Sequence, residues 1–311
     1  MRSVKQAKKC GSRSRLLIEY EQFLREQQCL APTTVAIRRK NVTSFLSSLK
    51  ERASPSKISS LAAHTVHDYI IKTSRPLQRA SRKHLVSSLR SFLRFAHVRG
   101  YLEKSLVDAV PLIATWKLEG IPRTIPWTSV QKLLSAPDRK THGGRRDYAI
   151  LQLLASYGVR IGQVTGLCLS DIKWHEGVIH FSSSKGGKPL CFPLTRRVAA
   201  ALMTYLRQDR REHSFPQVFL TVRKPIKPMS QRNHLGPSLR IYFQRAGIDS
   251  KIRGSYVIRH AFATRLMEKE VPVKTIADLL GHRSINTTFI YTKVDIKHLR
   301  TLVRDWPEVR S

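Results

Sequence analysis

Five residues in the second half of the chain carry side chains suited to a single reaction: Arg160, Lys185, Arg259, His282 and Tyr291. Breaking a DNA phosphodiester through a covalent enzyme link needs a nucleophile, a cationic clamp on the non-bridging oxygens and an acid for the departing oxygen. Two arginines suit the clamp, because each guanidinium is permanently charged and offers forked planar donors. A histidine can add a hydrogen bond to a phosphate oxygen, and a lysine on a hairpin tip can protonate the leaving 5′ oxygen. A tyrosine can attack phosphorus from the opposite side, and its phenol leaves well enough for the bond to reform. Such a site conserves the phosphodiester energy and calls for no ATP, cofactor or metal. Taken singly, each residue has a plainer account. Arg160 follows a helix-ending Gly158, Lys185 is a turn lysine, Arg259 could be an ion-pair partner and Tyr291 half-buried core. The Gly281–His282 break could also be an ordinary helix-turn-helix.

The elements expected to position them follow from periodicity. "RRDYAILQLLASYGVR" reads as an apolar helix stopped at Gly158, a residue that enters the left-handed region without steric cost, and Arg160 lies just beyond. "GVIHFSSSKGGKPLCFPL" alternates and turns at Gly186–Gly187, which predicts a hairpin with Lys185 and Lys188 at its tip. From there to the end the pattern is helical, through "LRIYFQRAGI", "IRHAFATRLMEKE", "VKTIADLL" and "NTTFIYTKV". Thr128 with Gln131 has capping-box spacing and predicts a helix start.

The first hundred residues carry helical stripes instead: Leu16, Leu17, Tyr20, Phe23 and Leu24, then Val35, Val42, Phe45, Leu46 and Leu49. Thr65 and Asp68 have capping-box spacing before a short helix through Tyr69 and Ile70. A further helix carries Leu85, Leu89, Phe92, Leu93 and Ala96, with Arg82, Lys83, Arg90 and Arg94 largely off that stripe. Those four cations make either a solvated face or one that grips a nucleic-acid backbone. "VDAVPLIATWKLEGIPRTIPWTS" loses the periodicity and holds Pro111, Pro122 and Pro126, so it reads as a linker. The expected fold is mainly α with a small antiparallel β-sheet (α+β). Its parts are a helical first domain over 12–110, a linker over 111–125 and a second domain over 126–311.

Bulk composition agrees with a polyanionic partner. The chain has 311 residues and a net charge of +35. Residues 1–110 hold 22 Lys and Arg against 7 Asp and Glu, and the remainder 34 against 14, so both halves are basic. Self-repulsion of that size is relieved by nucleic acid. The alternatives are a protein kept soluble by charge and, less favoured by the absence of a basic amphipathic helix, one that binds an anionic membrane. Cys10, Cys29, Cys168 and Cys191 are scattered without metal-ligand spacing and suit a reducing compartment. No run approaches 18 apolar residues, and no apolar segment follows the basic start, so the expectation is a cytoplasmic protein without a membrane span.

"YGVRIGQVTGLCLSDI", "SKGGK", "YVIRHAFATRL" and "LLGHRSINTTFIYT", in that order, resemble the tyrosine recombinase (phage integrase) family. The resemblance runs from Thr128 to about Val294. More loosely, "APTTVAIRRKNVTSFL" and "LRSFLRFAHVRGYLEKSLVDAV" are similar to that family's helical, SAM-like core-binding domain. It implies that Arg160 and Arg259 are the paired arginines and Lys185 the hairpin lysine, with Lys188 a weaker candidate. It further implies that His282 is the histidine of the "LLGH" motif and Tyr291 the nucleophile. The implied function is site-specific DNA recombination or integration, as in a phage or mobile element. Tyr291 would form a 3′-phosphotyrosine, free a 5′ hydroxyl, and pass strands through a Holliday junction. The implied partner is double-stranded DNA, bound as a homotetramer on two sites, with accessory recombinases or DNA-bending proteins as further candidates. The tail "DIKHLRTLVRDWPEVRS" is a candidate to pack on a neighbouring subunit.

Two positions depart from the family's pattern. Tyr256 occupies the first place of its His-x-x-Arg motif, and Gln163 stands where an acidic residue is common. A phenol titrating near roughly 10 is a weak base at neutral pH but still donates a hydrogen bond. Gln163 can hydrogen bond yet brings no counter-charge. These departures keep open a catalytically impaired DNA-binding relative or a degenerate mobile-element copy. A type IB topoisomerase shares the chemistry, but the helical first domain and the "LLGH" segment favour a recombinase.

Overall fold

The structure is a computed structural model that describes residues 12–49, 58–112, 124–183, 189–210, 213–229, 235–249, 254–282 and 284–288. The chain divides into two compact units, Met1–Lys117 and Leu118–Ser311.

Unit one is helical: α1 (Ser12–Glu26), α2 (Pro32–Ser48), α3 (Ala63–Ser74) and α4 (Arg79–Val98). In α1, Leu16, Tyr20 and Leu24 recur every fourth residue and are fully buried. Pro32 opens α2, where its missing N–H and fixed φ cost nothing. Val35, Val42, Phe45 and Leu46 face inward, meeting Leu85, Leu89, Phe92 and Leu93 of α4. Each such side chain contributes roughly 1.5–3 kcal/mol on burial. Tyr20 packs edge-on against Phe92, with ring centroids 5.4 Å apart. Arg38 ties α2 to α4, donating to Ser91 Oγ at 2.8 Å and to Gln28 Oε1 at 3.0 Å.

Unit two is built on α6 (His142–Tyr157), with α5 (Trp127–Ser135) before it and the short α7 (Ile161–Thr165) after it. Residues around the whole circumference of α6 are buried, including Ala149, Ile150, Leu151, Leu153 and Leu154. A helix apolar on every side belongs inside a core, and α6 is covered by α8 (Arg196–Gln208) and α10 (Tyr256–Glu268). Three antiparallel strands follow α7: β1 (Ile172–Lys173), β2 (Val178–Phe181) and β3 (Leu190–Pro193), in that spatial order. The register pairs Val178 with Pro193 and Phe181 with Leu190. That alternation turns Ile179, Phe181, Leu190 and Phe192 to the core and leaves His180 and Cys191 outside. Phe192 stacks on Tyr157 at 4.9 Å, and the Tyr157 hydroxyl donates to the Pro193 carbonyl at 2.8 Å. The remaining helices are α9 (Gly236–Arg245) and α11 (Val273–Leu279), the latter followed by a 3-10 turn over Ile285–Thr287.

One buried polar cluster pins these parts together. Asp147 accepts from Arg146 Nη2 at 2.7 Å and from the Tyr242 hydroxyl at 3.0 Å, while Arg146 Nη1 reaches the Leu220 carbonyl at 3.1 Å. Burial drives the Tyr242 pKa up, and the neighbouring Asp147 charge adds to it.

Three local expectations need correction. Helix α3 starts at Ala63 with Ala62 as its cap residue, so Thr65 lies inside the first turn and makes no capping bond. Helix α5 starts at Trp127 after Pro126, which leaves Thr128 within its first turn as well. Both helices are entered from a non-helical residue, Ala62 and Pro126, that has no side chain able to cap. The stretch after α8 is not continuously helical. Residues 213–229 run irregularly, with bridges pairing Gln217 with Cys168 and Pro228 with Leu220. Pro216, Pro225 and Pro228 interrupt helical hydrogen bonding there. Among the described residues, no helix is long and apolar enough to cross a membrane.

Candidate active site

The site forms where helix ends meet. Helix α6 stops at Gly158, whose φ of +61° and ψ of +15° place it in the left-handed region. A Cβ there would lie 2.4 Å from Phe262 Cδ1 of α10, so glycine is required by space as well as by conformation. Two residues on, Arg160 is the extended N-cap of α7. Its backbone N–H donates to Gln163 Oε1 at 3.1 Å, and Gln163 Nε2 donates to the Ser182 carbonyl at 3.0 Å. Gln163 is 2 % exposed. It thus joins the start of α7 to the chain leaving β2. An uncharged amide does here what a carboxylate could not, since only the amide has an N–H for the Ser182 carbonyl.

Arg259 projects from α10 and is 1 % exposed. Its Nη1 donates to the Gly158 carbonyl at 2.8 Å and its Nη2 to the Leu280 carbonyl at 2.7 Å. The guanidinium therefore bridges the C-terminal ends of α6 and α11, where carbonyl dipoles favour a cation. A lysine could not span two acceptors in this planar way.

His282 is placed by the termination of α11. Gly281, at φ +60°, donates its N–H to the Asp278 carbonyl at 2.9 Å, and His282 N–H donates to the Ala277 carbonyl at 2.9 Å. This pair of bonds is the Schellman arrangement, and it fixes the backbone from which the imidazole departs. Gly281 also sits against Leu190 of β3, 3.3 Å from where a Cβ would be. His282 Nδ1 is 2.6 Å from Thr288 Oγ1, and Thr288 is fully buried. The other ring nitrogen, Nε2, is buried and has no hydrogen-bond partner among the described residues. Burial holds the His282 pKa down to about 4, with repulsion from the Arg259 and Arg160 charges and from His260 adding to it. His260 is likewise lowered to about 4, by burial first and then by Arg259.

The structure thus gathers Arg160, Arg259 and His282, spread from position 160 to position 282 of the sequence, around the ends of α6, α7 and α11. Tyr256, the first residue of α10, is 51 % exposed and packs edge-on against His260 at 4.3 Å between centroids. Lys185, Lys188 and Tyr291 lie outside the described residues, as do most of the linker and the C-terminal tail. Thr288 was not among the expected site residues. The signal that could have found it is its buried hydroxyl six residues after a histidine, which becomes informative only once the 3-10 turn is known.

In unit one, Lys83, Arg90 and Arg94 of α4 line a groove of about 330 Å³ together with Arg38 of α2, Gln28 and Ser91. Arg90 also donates to the Val110 carbonyl at 2.6 Å. Arg82 does not line it and donates to the Leu77 and Arg75 carbonyls ahead of α4, at 2.8 and 3.1 Å. Arg38 comes from a different helix, so no stripe on α4 could have announced it.

Comparison with known proteins gives this geometry its context. Residues 124–298 match the phage integrase family, and residues 17–100 match the phage integrase N-terminal SAM-like domain. A protein of Sinorhizobium fredii named as an integrase/recombinase (y4rA) is 36 % identical over 288 residues, spanning 93 % of this chain and 70 % of that protein. The tyrosine recombinase XerA of Pyrococcus furiosus is 30 % identical over 273 residues, spanning 82 % and 92 %. Among solved structures, a lambda integrase tetramer bound to a Holliday junction shares the fold, with a TM-score of 0.66 at 16 % identity over 98 % of this chain and 82 % of that one. With an N-terminal SAM-like unit followed by a mostly helical unit around a small sheet, the chain belongs to the phage integrase family, the tyrosine recombinases.

Proposed function

We propose that this recombinase cleaves and rejoins DNA at specific sites through a covalent bond between Tyr291 and a 3′ phosphate. One observation carries the reading: two guanidinium groups and a buried imidazole nitrogen converge at the ends of α6, α7 and α11. Arg160 and Arg259 hold the non-bridging oxygens of the scissile phosphate, and His282 donates a hydrogen bond to the same group. A phosphate also offsets the repulsion that otherwise acts among these groups. Tyr291 gives up its phenolic proton to solvent as its oxygen attacks phosphorus, and the bond to the 5′ oxygen breaks. Lys185, carried between β2 and β3, supplies the proton that this oxygen takes up. Tyr256 orients the phosphate as a hydrogen-bond donor. The free 5′ hydroxyl of one duplex then attacks the phosphotyrosine of the other, giving a Holliday junction.

Double-stranded DNA is the partner. The groove bearing Arg38, Lys83, Arg90 and Arg94 supplies phosphate contacts from unit one. Assembly as a homotetramer on two sites is supported by analogy with the lambda integrase tetramer bound to a Holliday junction; accessory recombinases or DNA-bending proteins are further candidate partners, and a cytoplasmic setting suits a reaction on DNA.

The test is a nicked suicide substrate carrying the native site, followed by denaturing electrophoresis. Wild type forms a protein–DNA adduct and Tyr291→Phe forms none. An adduct persisting in Tyr291→Phe removes Tyr291 as the nucleophile. Relaxation of supercoiled plasmid without recombinant product assigns the chain to topoisomerase chemistry instead.

A further inference from the structure

We propose that Thr288 is a positioning residue for His282: its hydroxyl donates to Nδ1 and so fixes the tautomer that carries its proton on Nε2, the nitrogen available to the scissile phosphate. The inference rests on the site reading given above and concerns a residue with no part in that reading.

The geometry limits the possibilities to two. Across the 2.6 Å contact, either Nδ1 donates to Oγ1 or the hydroxyl donates to Nδ1. Thr288 is fully buried, so its hydroxyl proton needs an acceptor, and among the described residues Nδ1 is the acceptor recorded for it. If Nδ1 were the donor, two groups would be frustrated together. The hydroxyl proton would lack that acceptor, and Nε2 would turn a lone pair toward a phosphate oxygen. With the hydroxyl donating, both are satisfied and Nε2–H is a donor.

In the protein without DNA the choice of tautomer matters because burial disfavours a doubly protonated ring. Burial, reinforced by Arg259, Arg160 and His260, keeps His282 from holding two protons near neutral pH. A neutral imidazole has one N–H, and only one placement of it serves the phosphate. Thr288 also lies three residues before Tyr291 in the chain.

The test has two readouts on the full chain. The first is two-bond proton–nitrogen correlation on protein labelled with nitrogen-15 at histidine, without DNA, with His282 assigned by its loss in His282→Gln. The expected state is the Nε2–H tautomer in wild type and in Thr288→Ser, and a mixture in the isosteric Thr288→Val. The second is single-turnover adduct formation, expected to slow roughly 5- to 10-fold in Thr288→Val, the range a single lost hydrogen bond supports, and to be largely restored in Thr288→Ser. An Nδ1–H tautomer in wild type overturns the proposal without any variant. So does a Thr288→Val protein with wild-type tautomer and rate. If wild type forms no adduct at all, the reading of the site fails, and the tautomer in free protein still reports separately on Thr288.

Discussion

Replacing Gly158 with alanine strikes the junction on which the site stands. A φ of +61° costs an L-residue with a Cβ about 1–2 kcal/mol. The added carbon would also meet Phe262 at 2.4, 2.9 and 3.0 Å from Cδ1, Cε1 and Cγ, distances that force the ring or the helix to move. Overpacking of this kind costs about 1–3 kcal/mol, so the expected total is about 2–5 kcal/mol. For a unit of this size that lowers the thermal midpoint by roughly 4–20 °C. Phe262→Leu in the same background should recover the steric share and leave the backbone share, which makes a double-mutant cycle with calorimetry the suitable assay. Function should suffer too, because the Gly158 carbonyl is a seat for the Arg259 guanidinium. A Gly158→Ala protein within about 0.5 kcal/mol of wild type, or a cycle in which the two changes simply add, would refute the reasoning.

Acid should weaken unit two through His260 and His282. Both are held at about 4 in the folded protein against about 6.5 when unfolded, so the unfolded chain binds more protons between those values. Stability therefore declines as pH falls from about 6.5 to about 4, and the urea midpoint of His282→Asn should depend less on pH than that of wild type in this window. Tyr256→His should form the covalent adduct faster than wild type, since imidazole moves protons near neutrality and a phenol does not; an unchanged single-turnover rate counts against an impaired proton transfer. Lys83→Ala with Arg94→Ala should reduce the slope of log affinity against log salt by roughly 2, while Arg82→Ala, whose guanidinium is bound to backbone carbonyls, should leave it unchanged. Fluorescence anisotropy on a DNA duplex over a salt series measures both.

The helical stripes of α1, α2 and α4 were legible because each face repeats every three or four residues; the same residues are buried in the structure except Leu17 and Phe23, which are partly buried against the core. The strand pair was legible from alternation between Val178 and Phe181 and between Leu190 and Pro193. Helix starts read less well. Thr65 and Thr128 have the right chemistry for caps, yet the chain enters both helices earlier, after Ala62 and Pro126. The interval 213–229 escaped the pattern because its order comes from pairing with distant residues such as Cys168.

By itself the sequence determined the family, the basic character of both halves and the identity of the residues offered as chemical groups, because motif spacing and charge are local properties of the chain. Only the tertiary structure decided that Arg259 is clasped by the Gly158 and Leu280 carbonyls, that Gln163 ties Arg160 to the end of β2, and that Thr288 holds His282. Apart from the Arg160–Gln163 bond, which has the i to i+3 spacing of a capping box, those contacts join residues whose separation along the chain bears no relation to any helical or strand period. They exist because three helix termini leave unpaired backbone groups at one place, and buried polar groups must find partners there.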